Sequence, residues 1–563
     1  MNDRKPDDLK VLLRLLALFR PYRGWMLLGA LLASITVLAS VALMAVAGWF
    51  IAAMATAGMA GVLMNYFLPA AGIRAFAILR TGGRYGERVV SHEATFRLLA
   101  RLRVWLFRKL VPLAPAQLQN HRGADLVSRI QADIDTLQHA YLRLYSPLVV
   151  ALAGTVAVVA VLALFNPAVA LVVLALLLVA GGLVPGLVYR AAATPGAEVI
   201  ATRAELRVAL VDALQGMTDL RVQGAQERMA GRIAGLSVQL GDRQARVARL
   251  GSLSEGMVGL CANLAGWSAA VLAMLAVGAG SLAPEQVPML ALAAFASFEA
   301  VAPLPLAMQR VGEIAAAARR IFALADEAPA IAPVMAPSPV PLDASIHFHG
   351  VRMRYDAAGP LVLDGIDLDI PAGRRIAVVG PSGAGKSSLA RVLLRFWDYE
   401  GGEIRLGGHD LRAYRQDDLF RLIGVLSQDT QLLNASVREN LLVAAPDADM
   451  AAMERAMRAA QLHEFIATQP HGYDTWIGEG GVRLSLGQAR RLALARVLLR
   501  DPFILILDEP TEGLDAPTGR ALMEAVVAAM AGRTMLVITH RPEEVQGLVD
   551  ATVRLTQGRI AGR

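Results

Sequence analysis

Gly380-Pro381-Ser382-Gly383-Ala384-Gly385-Lys386-Ser387 decides how the second half of this chain folds. It follows a β-branched and aliphatic run at 374–379 and precedes a helical pattern at 387–396. A glycine-rich loop between a strand and a helix is the setting of a phosphate-binding loop. Its glycines let the backbone curl so that N–H groups converge on phosphate oxygens at a helix N-terminus. Gly380, Ser382, Gly383, Ala384, Gly385, Lys386, Ser387 and Ser388 are therefore the candidate nucleotide cradle. Lys386 would place a point charge on the β- and γ-phosphates, and Ser387 a hydroxyl on Mg²⁺. Lysine is otherwise confined to Lys5, Lys10 and Lys109 in an arginine-rich chain, so the one in the loop stands out.

Downstream residues extend the same chemistry. The run 503–507 (FILIL) reads as a buried strand that ends on Asp508 and Glu509. Two carboxylates at a strand tip are costly without a cation beside them. Asp508 is expected to hold Mg²⁺ through water, and Glu509 to polarise an attacking water. Gln428 follows the apolar run 422–426, where it suits a loop sensing metal and water. His540 closes a second buried run, 534–539 (TMLVIT), within reach of a γ-phosphate. Tyr355 lies upstream of the loop at a spacing suited to stacking on adenine, an interaction worth roughly 1–3 kcal/mol. Short aliphatic runs alternating with helical patterns from 345 to 563 predict a soluble α/β domain.

The first half is of another kind. Of 563 residues, 55% are hydrophobic, and mean hydropathy is +0.47, which excludes an ordinary soluble enzyme. No charged residue occurs at 25–73, 144–189 or 256–284. A membrane span needs about 20 apolar residues. The first two blocks hold two spans each, with breaks expected near Ala57-Gly58 and at Asn166-Pro167. The third holds one, and 287–308 supplies a sixth. Long polar helical stretches after spans two and four read as cytoplasmic extensions, with turns near Gly123-Ala124 and Gly216-Met217. Residues 1–325 thus form a six-helix membrane domain, 326–344 a Pro/Ala-rich linker, and 345–563 a nucleotide-binding domain. Arginines and lysines precede span one and follow spans two, four and six, which places both termini in the cytoplasm. That asymmetry accounts for the net charge of +7, so nucleic-acid binding is not inferred. The run at the N-terminus lacks a cleavable signal pattern. Cys261, the sole cysteine, reads as a small packing residue.

GPSGAGKS, Gln428, LSLGQ (484–488), ILILDE, the EGLD loop ending at Asp515, and His540 follow the order of an ATP-binding-cassette domain. Six spans joined to such a domain resemble an exporter-type half-transporter. AGWF (47–50), NYFLPAAGIRAFAILRTGGRYGERVVSHEATFR (65–97), LVSRIQADIDTLQHAYLR (126–143), FEAVAPL (298–304) and DEPTEGLD (508–515) are similar to the CydC family. The resemblance covers nearly the whole chain. It implies a heterodimer with a CydD-like partner in the bacterial inner membrane. The implied work is ATP-driven export of cysteine or glutathione to the periplasm, in support of cytochrome bd assembly. Haem is the alternative cargo on the same scaffold; a lipid or drug exporter and a non-transporting ATP-binding regulator are the others considered. The resemblance also makes Ser485, Gly487, Gln488 and Asp515 part of an ATP site shared between two chains. In it, the signature loop clasps ATP held by the partner's phosphate loop.

Two further features bear on the partner and the cargo. Leu486 takes the place of a signature glycine, where a positive φ would strain a branched residue by about 1–2 kcal/mol. This predicts an impaired site over the partner's loop and an unlike partner. In the membrane half, Arg80, Arg84, Arg88 and His92 recur every four residues and form one helical stripe. The stripe suits an anionic cargo, with His92 as a haem ligand and Arg88 for a propionate; equally, it suits anchoring to lipid phosphate. Glu299, an acid inside the sixth span, and Arg74 in the second are cavity-lining candidates.

Overall fold

The computed structural model describes residues 4–118, 126, 129–356, 358–428, 431–478 and 481–561. Two units emerge: residues 1–112 with 121–327, and residues 113–120 with 328–563.

The first unit is helical. A short amphipathic helix, α1 (Arg4–Leu18), leads into α2 (Arg23–Ala60) and α3 (Phe67–Leu110). After α4 (Ile134–Ala140) come α5 (Ser146–Phe165) and α6 (Pro167–Leu178), which continues through a π-turn into α7 (Val184–Gln215). The short α8 (Met217–Val222) then precedes the 53-residue α9 (Gln226–Gly278). α10 (Gln286–Ala296) and α11 (Leu304–Ala325) are joined by a 3-10 turn containing Glu299.

Among the described residues, five helices or helix runs are long and apolar enough to cross a membrane. α3 is the sixth long helix and falls outside that set, because it carries Arg74, Arg80, Arg84 and Arg88. This corrects the placing of two whole spans within the uncharged block 25–73. α2 does not break at Ala57-Gly58 but runs to Ala60, where Gly61 caps it in the left-handed conformation (φ 65°). The reversal falls in 62–66, so α3 begins only seven residues before Arg74. The expected break at Asn166-Pro167 is there. Asn166 Oδ1 accepts from the backbone N–H of Ala168 and Val169, and proline occupies the first helical position without losing a useful donor. The turn expected near Gly216-Met217 coincides with the break between α7 and α8. The turn expected near Gly123-Ala124 lies outside the described residues.

Small residues let these helices approach, as in membranes generally. A Cβ on Gly83 of α3 would stand 2.6 Å from Thr36 Oγ1 of α2, and one on Gly48 of α2 would stand 2.8 Å from the Pro288 carbonyl of α10. Ion pairs tie the helix ends beyond the apolar blocks. Arg14 of α1 grips Asp326 with both terminal nitrogens (2.5 and 2.6 Å), and Arg320 of α11 grips Asp133 (2.5 and 2.9 Å).

The second unit carries two sheets. β1 (Ile346–Met353), β2 (Leu363–Ile370), β4 (Gly401–Leu406) and β5 (His409–Asp410) make an antiparallel sheet ordered β2-β1-β4-β5. The other sheet is ordered β10-β9-β3-β8-β7-β6, from β3 (Arg375–Val379), β6 (Ile423–Leu426), β7 (Ile504–Asp508), β8 (Thr534–Thr539), β9 (Ala551–Thr556) and β10 (Arg559–Ala561). All its pairings are parallel except β9–β10. Every residue of β7 and β8 is buried, which explains their unbroken aliphatic sequences: a parallel strand covered on both faces has no polar side.

Candidate functional site

The order β3-β8-β7-β6 sets the site. Four neighbouring parallel strands end side by side, and each delivers one candidate group at its C-terminal end. β3 leads to the phosphate loop, β8 to His540, β7 to Asp508-Glu509 and β6 to Gln428. The crevice beyond the carboxyl ends of a parallel sheet is where such folds bind ligands.

The phosphate loop curls over the start of α12 (Lys386–Leu393). Gly383 and Gly385 have φ of 80° and 96°, a region closed to most side chains, and a Cβ on Gly385 would lie 2.6 Å from the Val362 carbonyl. Lys386 is buried and its Nζ donates to the carbonyls of Gly380 (2.8 Å) and Pro381 (3.1 Å). The ammonium is thus folded into the loop, at the place where a polyphosphate would sit. Ser382 lies exposed at the loop tip and Ala384 is buried beneath it. Ser388 faces elsewhere, since its hydroxyl hydrogen-bonds the Tyr355 hydroxyl at 2.7 Å. Arg391 also donates to that hydroxyl (3.0 Å), and the Tyr355 ring meets Trp397 edge-on with centroids 5.1 Å apart. Tyr355 is held beside the loop by its rim, and its ring remains partly exposed.

The two acids of β7 differ in setting. Asp508 is buried, and its carboxyl is pushed up from the usual range, chiefly by desolvation. The Ser387 hydroxyl hydrogen-bonds it and acts in the opposite direction. Among the described residues its Oδ1 has no hydrogen-bond partner. A buried carboxylate oxygen without a donor, next to a serine hydroxyl, fits Mg²⁺, whose charge would reverse the cost of burial. Glu509 adopts φ of 52°, an uncommon conformation for a non-glycine residue costing about 1–2 kcal/mol. Two contacts hold it there: its backbone N–H donates to the Ile538 carbonyl (2.8 Å), and its Oε2 lies 2.7 Å from His540 Nδ1. With Glu509 ionised, the histidine proton must reside on Nδ1. This strained turn aims the carboxylate away from β7 and towards the end of β8.

Arg490 is the residue that motif reading passed over. It sits in α13 (Leu486–Leu498), is buried, and donates to the carbonyls of Asp508 (2.5 Å) and Gln428 (3.0 Å). One guanidinium therefore ties the Gln428 loop, the end of β7 and the signature helix together, leaving the Gln428 side chain exposed. Its sequence signal was a cation on the apolar face of an otherwise ordinary helix. A second buried network joins Thr511 and Arg541 through Glu544, which accepts from both.

The signature segment caps α13. Ser485 Oγ accepts from the Gln488 backbone N–H (3.2 Å), and the Gln488 side chain returns to the Ser485 N–H (2.9 Å). Leu486 is the first residue of the helix and does not have a positive φ, so the strain expected at this position is absent. Ser485 is the N-cap, so Leu486 already has helical backbone. Leu486 instead acts by bulk: it is two-thirds exposed, and it packs over Gly513, where a Cβ would stand 3.1 Å from its methyl. Gly487 is buried against Leu514. Asp515 caps α14 (Ala516–Ala529), and its carboxyl is held below the usual range by hydrogen bonds from Thr518.

In the membrane unit, Arg84 Nη2 meets Glu299 Oε1 at 2.9 Å. Arg80, Arg84 and Arg88 line one cavity of about 460 Å³, and Arg80 also lines a second, of about 470 Å³, with Glu299. His92 lines neither: it is exposed, and its Nδ1 lies 2.8 Å from the Arg88 carbonyl. Arg74 lines neither as well.

Comparison with known proteins matches this architecture. The family model described as ABC transporter matches residues 363–512, and the ABC transporter transmembrane region matches residues 26–299. The chain is 38% identical over 539 residues to the glutathione/L-cysteine transport system ATP-binding/permease protein CydC of Escherichia coli, covering 95% of this chain and 93% of that protein. It is 29% identical over 534 residues to the corresponding protein CydD of Bacillus subtilis, covering 94% and 91%. The structure of a bacterial Atm1-family ABC exporter with ATP bound shares the fold, with a TM-score of 0.83, 24% identity, and coverage of 97% and 95%.

Proposed function

The chain belongs to the CydC family of ABC transporters, and from that premise we propose that it is the ATP-hydrolysing half of a thiol exporter in the bacterial inner membrane. It works with a CydD-like partner, and cysteine or glutathione moves to the periplasm. The observation that carries this reading is kinship over nearly the full length of both chains with a named glutathione/cysteine transport protein. Arginine placement along the membrane unit supports cytoplasmic termini. Uptake by inverted vesicles carrying the co-expressed pair, with cysteine, glutathione and haem compared, tests the cargo. Thiol uptake dependent on ATP is expected; uptake of haem alone would move the reading to haem. The exposed His92, whose Nε2 has no partner among the described residues, is the feature that favours haem, and His92→Ala should leave thiol uptake intact.

ATP would lie with its phosphates in the curl of 380–387 and its adenine against Tyr355. Bound Mg²⁺ would supply charge neutralisation at the β- and γ-phosphates, held by Ser387, Asp508 and Gln428. Lys386 would exchange its two carbonyl partners for phosphate oxygens. Glu509 would take a proton from the attacking water, while His540 fixes its carboxylate and approaches the γ-phosphate. Signature residues Ser485, Gly487 and Gln488 and the Asp515 loop would close over ATP on the partner. ATP favours the closed state by binding it better than the open one; a nearly complete switch needs about 5.5 kcal/mol of differential affinity.

Two predictions follow from residues in this site. The raised Asp508 carboxyl lies above its unfolded value, so its ionisation costs stability as pH rises through that window, and protonation at lower pH removes the cost. Asp508→Asn should therefore leave the nucleotide-free protein at least as heat-stable at neutral pH. It should also abolish the added stability that Mg-ATP confers; thermal melts with and without Mg-ATP read both, and a destabilised nucleotide-free variant would contradict the assignment. Leu486 is a bulky side chain beside the free N–H groups of a helix start, placed over the partner's nucleotide. The partner's site is then the impaired one, and Leu486→Gly should change steady-state ATPase far less than Glu509→Gln. Equal effects would remove the asymmetry.

A further inference from the structure

The cavity of about 470 Å³ lies within the range of small-molecule sites, roughly 300–1,000 Å³. Its lining includes Met44 of α2, Arg80 of α3, Glu255 and Val258 of α9, and Phe295 and Glu299 near the α10–α11 junction. Three charged residues share it, and they are not equivalent. Glu299 is neutralised by Arg84 at 2.9 Å. Among the described residues, Arg80 and Glu255 make no ion pair and no side-chain hydrogen bond. Ionisable residues on membrane-spanning helices are expensive and mark ligand pathways. Here one cation and one anion, contributed by different helices, are both left without a partner around one cavity.

We propose that Arg80 and Glu255 clamp an α-amino-acid head group, its carboxylate against Arg80 and its ammonium against Glu255. The proposal rests on the thiol-export reading and names the recognition chemistry of its cargo. A zwitterion matches both charges and adds none to the membrane unit. Cysteine and the γ-glutamyl end of glutathione carry the same head group, so one clamp serves both. The guanidinium suits a carboxylate because it offers paired N–H donors. Met44, Phe295 and Val258 provide an apolar wall for the thiol-bearing part, and sulfur packs favourably on aromatic edges. A dianion without an ammonium would gain Arg80 but meet Glu255 as a like charge. The clamp therefore discriminates by head group rather than by total charge.

The test uses vesicles of the assembled heterodimer and four ligands: cysteine, glutathione, cysteamine, which lacks the carboxylate, and N-acetylcysteine, which lacks the ammonium. Half-saturating concentrations for uptake are the readout. Arg80→Gln should weaken cysteine and glutathione about tenfold or more and should not weaken cysteamine, since a charged hydrogen bond is lost only where a carboxylate exists. Glu255→Gln should weaken cysteine and glutathione and should not weaken N-acetylcysteine, which loses only a like charge. Arg80→Lys, which keeps the charge but not the paired donors, should recover part of the affinity lost in Arg80→Gln, and the analogue that is not weakened in each variant shows that the cavity is still formed. Equal losses for all four ligands, or no loss for any, would overturn the clamp. Wild-type vesicles that take up none of the four would instead contradict the export reading itself.

Discussion

Glu509→Gln should lower ATP turnover of the assembled transporter by on the order of 10²–10⁴-fold, the contribution expected of a positioned general base, while nucleotide binding persists. The substitution keeps the size and shape of the side chain, so the left-handed backbone at 509 and its N–H bond to the Ile538 carbonyl should survive. What it removes is the negative charge that faces His540 Nδ1 at 2.7 Å and the basic oxygen that would receive a proton from water. Transport should fall with turnover. Closure of the dimer, which needs ATP bound rather than cleaved, should outlast both. Steady-state ATPase with equilibrium nucleotide binding on the same preparation separates these effects, and near-normal turnover would assign the base elsewhere.

Lys386→Ala should also be severe but should fail at a different step. Lys386 is buried and its ammonium donates to the Gly380 and Pro381 carbonyls. Removing it leaves those oxygens without a donor and takes the one lysine charge away from the phosphate curl. A loss of at least about 10²-fold in turnover is expected, comparable to deleting one strong donor to a developing charge, together with weakened ATP binding. The contrast is diagnostic: Glu509→Gln binds and does not turn over, whereas Lys386→Ala binds poorly as well. Equilibrium binding of a fluorescent ATP analogue to the two variants distinguishes them, and full-affinity binding by Lys386→Ala would contradict the role given to the ammonium.

The nucleotide-binding half was legible because its information is local. A strand, a glycine curl and a helix N-terminus lie within about twenty residues of sequence, and 534–539 and 503–507 could be nothing but buried strands. Proximity in the sheet was not legible: the order β3-β8-β7-β6, which brings Lys386, His540, Glu509 and Gln428 to one edge, depends on long crossovers. Arg490 escaped notice because its importance lies in two backbone carbonyls far away in sequence, those of Gln428 and Asp508. The left-handed backbone of Glu509 leaves no trace in residue type. At Leu486 the opposite error arose, since a missing glycine suggested a positive φ where the chain has an ordinary helix start. In the membrane half, hydropathy located five spans and misplaced α3. A helix that lines a cavity carries its charges towards it, so the apolar-block rule fails at Arg80, Arg84 and Arg88. The same property put Arg80 of α3 and Glu255 of α9 around one cavity, a juxtaposition that no spacing rule on one helix could disclose.

We propose that hydrolysis occurs at this chain's own Lys386 and Glu509, and that the site under Leu486 is the weaker one. Vanadate trapping of a photoreactive ATP analogue in the purified heterodimer tests it directly, because the trapped nucleotide labels the chain whose phosphate loop holds it. The account predicts that label accumulates mainly on this chain and disappears with Glu509→Gln. Label divided equally between the two chains, or found mainly on the partner, would contradict it.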